Sequence, residues 1–193
     1  MAMKSVIERV ACLILLCPKG VPTIAELRYR TFTAKEASRI LDNLIVKIGP
    51  AASAPAVVRV FVHNNNTDAV TFMKDYSPLD PLALRLGMFN ITPAYSPHPI
   101  KLPVVEVRRE WPPDLRSLVT IQPGSTVTSD LNLHDLEMDF SRFENSASAV
   151  LFGDWLAVWK VSRVVKDLFR LENWGSIGGK FVSNHIMVNL SNI

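Results

Sequence analysis

Residues 118–133 read LVTIQPGSTVTSDLNL. Val119 and Ile121 point one way, so the first run alternates as a strand does. Pro123-Gly124 then supplies a turn, since proline presets φ and glycine adopts positive φ without strain. Val127, Ser129, Leu131 and Leu133 resume the alternation. Thr126 and Thr128, on the other face, suit the watered side of a sheet. The stretch predicts two strands joined by a tight corner.

Working outward, the same period of two recurs on both sides. VVRVFVH (57–63) is rich in β-branched and aromatic residues. HNNNTD is a polar turn, and AVTFMK (69–74) reads as the strand paired with 57–63. After the proline-punctuated DYSPLDPLAL come GMFNIT (87–92), the loop PAYSPHP, and KLPVVEVRRE (101–110) as a further strand. VLFGDWLAVWK (150–160) places Trp155, Ala157 and Trp159 on one face and Leu156 and Val158 on the other, as expected of a strand inside a sheet. VSRVVKDLFRLENW (161–174) has helical spacing and GSIGGK is a break. KFVSNHIMVNL (180–190) is the closing strand, with Val182, Asn184, Ile186, Val188 and Leu190 inward. About seven to eight short strands bounded by turns predict a mainly β protein, an antiparallel immunoglobulin-like β-sandwich. No alternation of strands with helices suggests a parallel sheet.

The N-terminal part has a different rhythm. Thr33-Ala-Lys-Glu36 has the form of a capping box, and Ala37, Ile40, Leu41, Leu44, Ile45 and Ile48 follow on one helical face. This predicts an amphipathic helix over 33–48, stopped by Gly49-Pro50. AASAP (51–55) is a small-residue linker. The expected division is an N-terminal segment, 1–54, and a sandwich domain, 55–193. Within the first, Lys4 and Arg9 precede the short apolar run VACLILLC, a signal-like pattern over residues 1–20. The same run also fits a buried helix, so secreted and cytoplasmic locations both stand, with secretion preferred.

Composition narrows the function. The 193 residues carry a net charge of +3, and Arg108-Arg109 is the only adjacent basic pair, so no nucleic-acid-binding stripe is present. No apolar run is long enough for an integral membrane helix. Cys12 and Cys17 are the only cysteines, which leaves the main body without a disulfide framework, a cysteine nucleophile or a cysteine-rich metal site. Known catalytic and nucleotide-binding motifs are absent, and no cofactor is expected.

Candidate site residues are therefore few. Asp75 and Asp80 flank SPLD; a carboxylate pair can do acid–base work, but turn carboxylates more often accept backbone amides. His134 and Glu137 share a face if 134–139 forms a helical turn, yet a metal would need further ligands; a turn capped by Asp135 is the simpler reading. His63, His98 and His185 are expected at the surface. Trp155 and Trp159 read as core. Tyr95 and Trp111, in proline-rich loops at 92–100 and 111–117, are the candidate binding aromatics, presented at one end of the sandwich. Among the Asn-x-Ser/Thr sites at Asn65, Asn90 and Asn189, Asn65 in the polar tip suits a glycan best.

The order VVRVFVHNNNTDAVTFMKDYSPLD (57–80), LGMFNITP (86–93), VVEVRRE (104–110), IQPGSTVTSDLNL (121–133), LEMDFS (136–141), LFGDWLAVW (151–159) and SNHIMVNL (183–190) resembles the propeptide-type β-sandwich domain of fungal secreted metallopeptidases of the deuterolysin kind. The resemblance covers roughly residues 57–190 and includes no zinc-binding catalytic domain. It implies a secreted fungal sandwich without enzymatic activity that engages or restrains a protein partner, a peptidase among the candidates. The alternative expectation is a self-associating scaffold or coat protein assembled through exposed sheet edges.

Overall fold

A computed structural model describes residues 32–51, 57–109, 113–138, 140, 146–160 and 176–189. The signal-like run with Cys12 and Cys17, Trp111, Trp174 and the helix expected over 161–174 lie outside the described residues. Helix α1 (Ala34–Asp42) precedes strands β1 (Leu44–Pro50), β2 (Val57–Asn64), β3 (Val70–Met73), β4 (Phe89–Pro93), β5 (Leu118–Ile121), β6 (Thr126–Asn132), β7 (Ser146–Trp159), β8 (Ile177–Val182) and β9 (Ile186–Asn189). A three-stranded sheet, β1-β2-β6, faces a six-stranded one in which β7 is flanked by β4 and β3-β5 on one side and by β8 and β9 on the other. Every pairing is antiparallel. The mainly β sandwich with an N-terminal helix is therefore the fold.

The helix is shorter than its pattern implies. Thr33 and Glu36 close the capping box, with Glu36 N–H donating to Thr33 Oγ1 and Thr33 N–H donating to Glu36 Oε2. The helix then stops at Asp42, and Leu44–Pro50 forms β1 instead of two more turns. Leu44 and Ile48 fit either period, because residues four apart share a face in a helix and in a strand. Val46 decides it: Leu44, Val46 and Ile48 are all buried while Ile45 and Lys47 are exposed. Register with β2, Leu44 against Asn64 through Pro50 against Val58, fixes the strand. The three-stranded sheet thus includes residues on the N-terminal side of the AASAP linker.

Four further expectations change. The 57–63 and 69–74 strands do not pair: β2 lies between β1 and β6, whereas β3 lies between β5 and β7. HNNNTD crosses from one sheet to the other. Residues 101–109 form no strand. They are held by Val105 N–H on Arg85 O and by Tyr76 OH on Val107 O, with Leu102 packed into the core, and Pro103 has no donor for a ladder.

The third change is in β7. Its register shifts between Trp155 and Val158. An irregularity of this kind inverts side-chain parity. Trp155 therefore enters the main core, edge-on to Phe72 (centroids 4.9 Å apart) and tilted against Phe181 (5.2 Å). Ala157 and Trp159 turn to the opposite face and pack with Met73 and Leu118, so the three do not share a face.

The fourth is in the closing strand, which is two strands. At the break, Ser183 stands in for a ladder residue: its N–H donates to Leu151 O and its Oγ accepts from Leu151 N–H. Phe181 rather than Val182 is inward before the break, while Val188 is buried after it. Asn184 leaves the face altogether. Its Oδ1 accepts from Ile48 N–H (2.9 Å) and its Nδ2 donates to Ile48 O (3.0 Å), so it pairs β1 at that one residue as a neighbouring strand would.

The core between the sheets is built from Val58, Val60 and Val62 of β2, Val70 and Phe72 of β3, Ile91, Ile121, Leu131 and Leu151. Along β6 the expected pattern holds, with Leu131 buried and Thr126, Thr128 and Asp130 exposed. Gly179 of β8 is where α1 approaches: a Cβ built there would lie 2.5 Å from Leu41 Cδ1.

Candidate functional site

The Pro-Gly corner is a crossing between sheets. β5 belongs to the six-stranded sheet and β6 to the three-stranded one. Ser125 N–H donates to Gln122 O (3.1 Å), and Gly124 has φ +70°, the signature of a type II turn with Pro123 leading. Asn64, at 0% exposure, is its anchor. Its backbone exchanges bonds with Gly124 N–H and Ser125 O. Its side-chain Nδ2 donates to Asp68 O and Ile121 O, and its Oδ1 accepts from Asn66 N–H. One amide thus ties the HNNNTD loop to the corner. Asn66 Nδ2 donates to Ile40 O of α1. Of the three asparagines only Asn65 is exposed, with its backbone N–H on Asn43 O.

The SPLD segment forms a second anchor. Asp80, also fully buried, accepts from Tyr76 N–H (2.7 Å) and Leu82 N–H (2.9 Å), as expected of a turn carboxylate. Sequence reading missed its third partner. Arg109 Nη2 donates to both Asp80 oxygens (3.1 and 3.0 Å) while Nη1 reaches Asp75 Oδ1 (3.0 Å). Arg109 also lies 5.8 Å from the centre of the Tyr76 ring. Tyr76 itself adopts φ 58°, uncommon for a bulky residue. The two carboxylates face one guanidinium rather than an open cleft, an arrangement suited to holding a corner.

Tyr95 is 86% exposed on the loop that leaves β4. The loop is tied at its base by Ala94 N–H on Ser146 O and Ile100 N–H on Ile91 O. Ser96 Oγ stiffens its tip, accepting from His98 N–H and donating to His98 O. The described part of the 111–117 loop is elsewhere. Leu118 pairs with Met73, whose neighbours Phe72 and Thr71 pair with Val158 and Trp159 at the far end of β7. Ser146 is the first residue of that strand, so Tyr95 lies beside the start of β7 while Leu118 lies further along it.

The remaining polar candidates are dispersed. Residues 133–136 form a 3-10 turn capped by Asn132, not Asp135, through His134 N–H on Asn132 Oδ1. Glu137 takes φ 52° and turns toward Arg85, 3.8 Å away. Among the described residues no group of three or more His, Cys, Asp or Glu is gathered for a metal, and no helix is long and apolar enough to cross a membrane. His98 and His185 are exposed, the latter beside Ser148 Oγ; His63 is half-buried against Thr126 Oγ1.

One surface pair has perturbed electrostatics. Arg59 and Asp130 face each other across β2 and β6 in a bidentate pair, Nε–Oδ1 at 2.6 Å and Nη2–Oδ2 at 2.7 Å. The hydrogen bonds from Arg59 hold the Asp130 carboxyl below its ordinary range, and those to Asp130 raise Arg59.

No curated protein matches the chain. The sequence profile of an immunoglobulin-like domain matches residues 43–190. That span starts one residue before β1 and ends one residue after β9, so it takes in both sheets. With its two antiparallel layers and core tryptophan, the chain belongs to the immunoglobulin-like domain family.

Proposed function

We propose that the chain is a non-catalytic, secreted protein-binding module of the propeptide type, one that engages or restrains a protein partner such as a peptidase. Tyr95 carries the reading. A large aromatic held out in water on a loop stiffened by Pro93, Pro97 and Pro99 and tied at its base loses little freedom on docking. The signal-like N-terminal run and the exposed Asn65 of the Asn-Asn-Thr acceptor agree with passage through a secretory route.

The test uses the full chain and a secreted zinc peptidase of the deuterolysin kind. Addition of the chain is expected to slow the peptidase and to protect residues 93–100 from hydrogen exchange, and Tyr95→Ser is expected to remove both effects. Undiminished peptidase activity with unchanged exchange in that loop overturns the reading.

A further inference from the structure

The outward faces of β7 and β8 carry apolar side chains in water: Phe152 is 36%, Leu156 50% and Val182 66% exposed. Their register is specific. Phe152 lies across from Val182, and Asp154 lies across from Lys180. Both charged residues are exposed. They are direct neighbours of opposite sign, yet among the described residues they form no ion pair with each other. Beside them opens a cleft of about 260 Å³ lined by Tyr76, Leu86, Met88, Phe152, Asp154 and Leu156.

This pattern is its own complement. A two-fold axis running along the groove between β7 and β8 exchanges left and right but keeps height along the strands. It places Phe152 over the partner's Val182 and Asp154 over the partner's Lys180, each contact occurring twice. Leu156, further along, meets the other copy's β8 near Gly178, which has no side chain to obstruct it. Stacked sheets lie about 10 Å apart, within reach of a lysine stem that runs along apolar surface to a carboxylate. The cleft at Asp154 provides that surface. We propose that this face binds a second copy of the chain as a two-fold dimer. The contact is face to face and uses no sheet edge.

The proposal stands apart from the Tyr95 reading, since Tyr95 lies on the loop after β4, beside the start of β7, and belongs to neither strand of this face. Sedimentation equilibrium of the full chain from about 1 µM to about 1 mM spans the affinities of small interfaces. The mass is expected to rise from one chain to two. Asp154→Lys and Lys180→Asp each set like charges against each other twice, and each is expected to weaken the dimer by about tenfold or more. Mixing these two variants pairs opposite charges at both places and is expected to restore association as a heterodimer. Val182→Asp, at an exposed site outside the core, is expected to abolish dimerisation while leaving the circular dichroism spectrum unchanged. Tyr95→Ser is expected to leave it intact. A wild-type chain that stays monomeric throughout, a dimer indifferent to both charge reversals, or a mixture that fails to associate overturns the proposal.

Discussion

The corner at Asn64 and the clasp at Arg109 perform the same task with different groups. Each pins an irregular connection to the sandwich around one fully buried polar side chain, Asn64 in the first and Asp80 in the second. At Asn64 every partner is neutral: two backbone carbonyls accept and a backbone N–H donates. At Asp80 a full charge is buried and met by two backbone N–H groups and a guanidinium, which itself is shared with Asp75. A neutral network costs little to desolvate, and its loss is limited to the bonds removed. A buried charge stays put only while its counter-charge does.

The sharpest way to break this comparison is Arg109→Met. It fills similar volume but leaves Asp75 and buried Asp80 without their cation. A loss of about 3 kcal/mol is expected, discounted slightly because Arg109 is a quarter exposed. For a domain of this size that is roughly a 10 °C fall in Tm. Arg109→Lys should recover little, since one ammonium cannot bridge two carboxylates in a fork. Because Tyr76 lines the cleft beside Phe152 and packs under Arg109, the same change should also weaken dimerisation. A melting curve unchanged by Arg109→Met shows that the backbone N–H groups alone hold Asp80.

Asn64→Ala makes the matching cut in the neutral anchor. It strands the carbonyls of Asp68 and Ile121 and the N–H of Asn66. About 2 kcal/mol is expected, less than at Arg109 because water can reach part of the loop. This corner uses none of the residues of the β7–β8 face, so the dimer of the Asn64 variant should match wild type. Equal losses at the two anchors, measured by denaturant unfolding, erase the distinction between them.

These anchors differ in how far the sequence discloses them. Asn64 sits in HNNNTD and its corner in QPGS, both with local turn chemistry, so the corner was legible though its crossing between sheets was not. Asp80 was legible as a turn acceptor; Arg109, 29 residues on, carries no local sign of its role. The same limit explains the strands. Alternation over 57–63 and 126–133 is a local property and survived folding. The choice between helix and strand at 44–48 was made by β2, the parity change in β7 by its shifted register, and the break at 183–185 by Leu151 and Ile48. All are contacts distant in sequence. Tyr95 was legible because prolines on both sides keep it from any strand. The β7–β8 face was not, since Leu156 reads as part of a two-faced interior strand and only the folded chain shows it half exposed.

A third pair extends the comparison to the surface, where the effect should be smallest. Arg59 and Asp130 meet across β2 and β6 with good bidentate geometry, but both are more than a third exposed, so solvent screens them. The hydrogen bonds from Arg59 lower the folded-state pKa of Asp130. The unfolded value is about 3.9. Folding therefore releases a proton from this group only in acid. The contribution is fully present above the unfolded value and is lost as pH falls through the lower, folded one. Measured by urea unfolding, the small difference between wild type and Asp130→Asn should be constant at neutral pH and should shrink in acid once pH drops below about 4. Added salt should reduce it at neutral pH, as it does for exposed charges in general. A difference that grows on acidification runs against the sign of the linkage and shows that Asp130 stabilises the fold through contacts other than its charge.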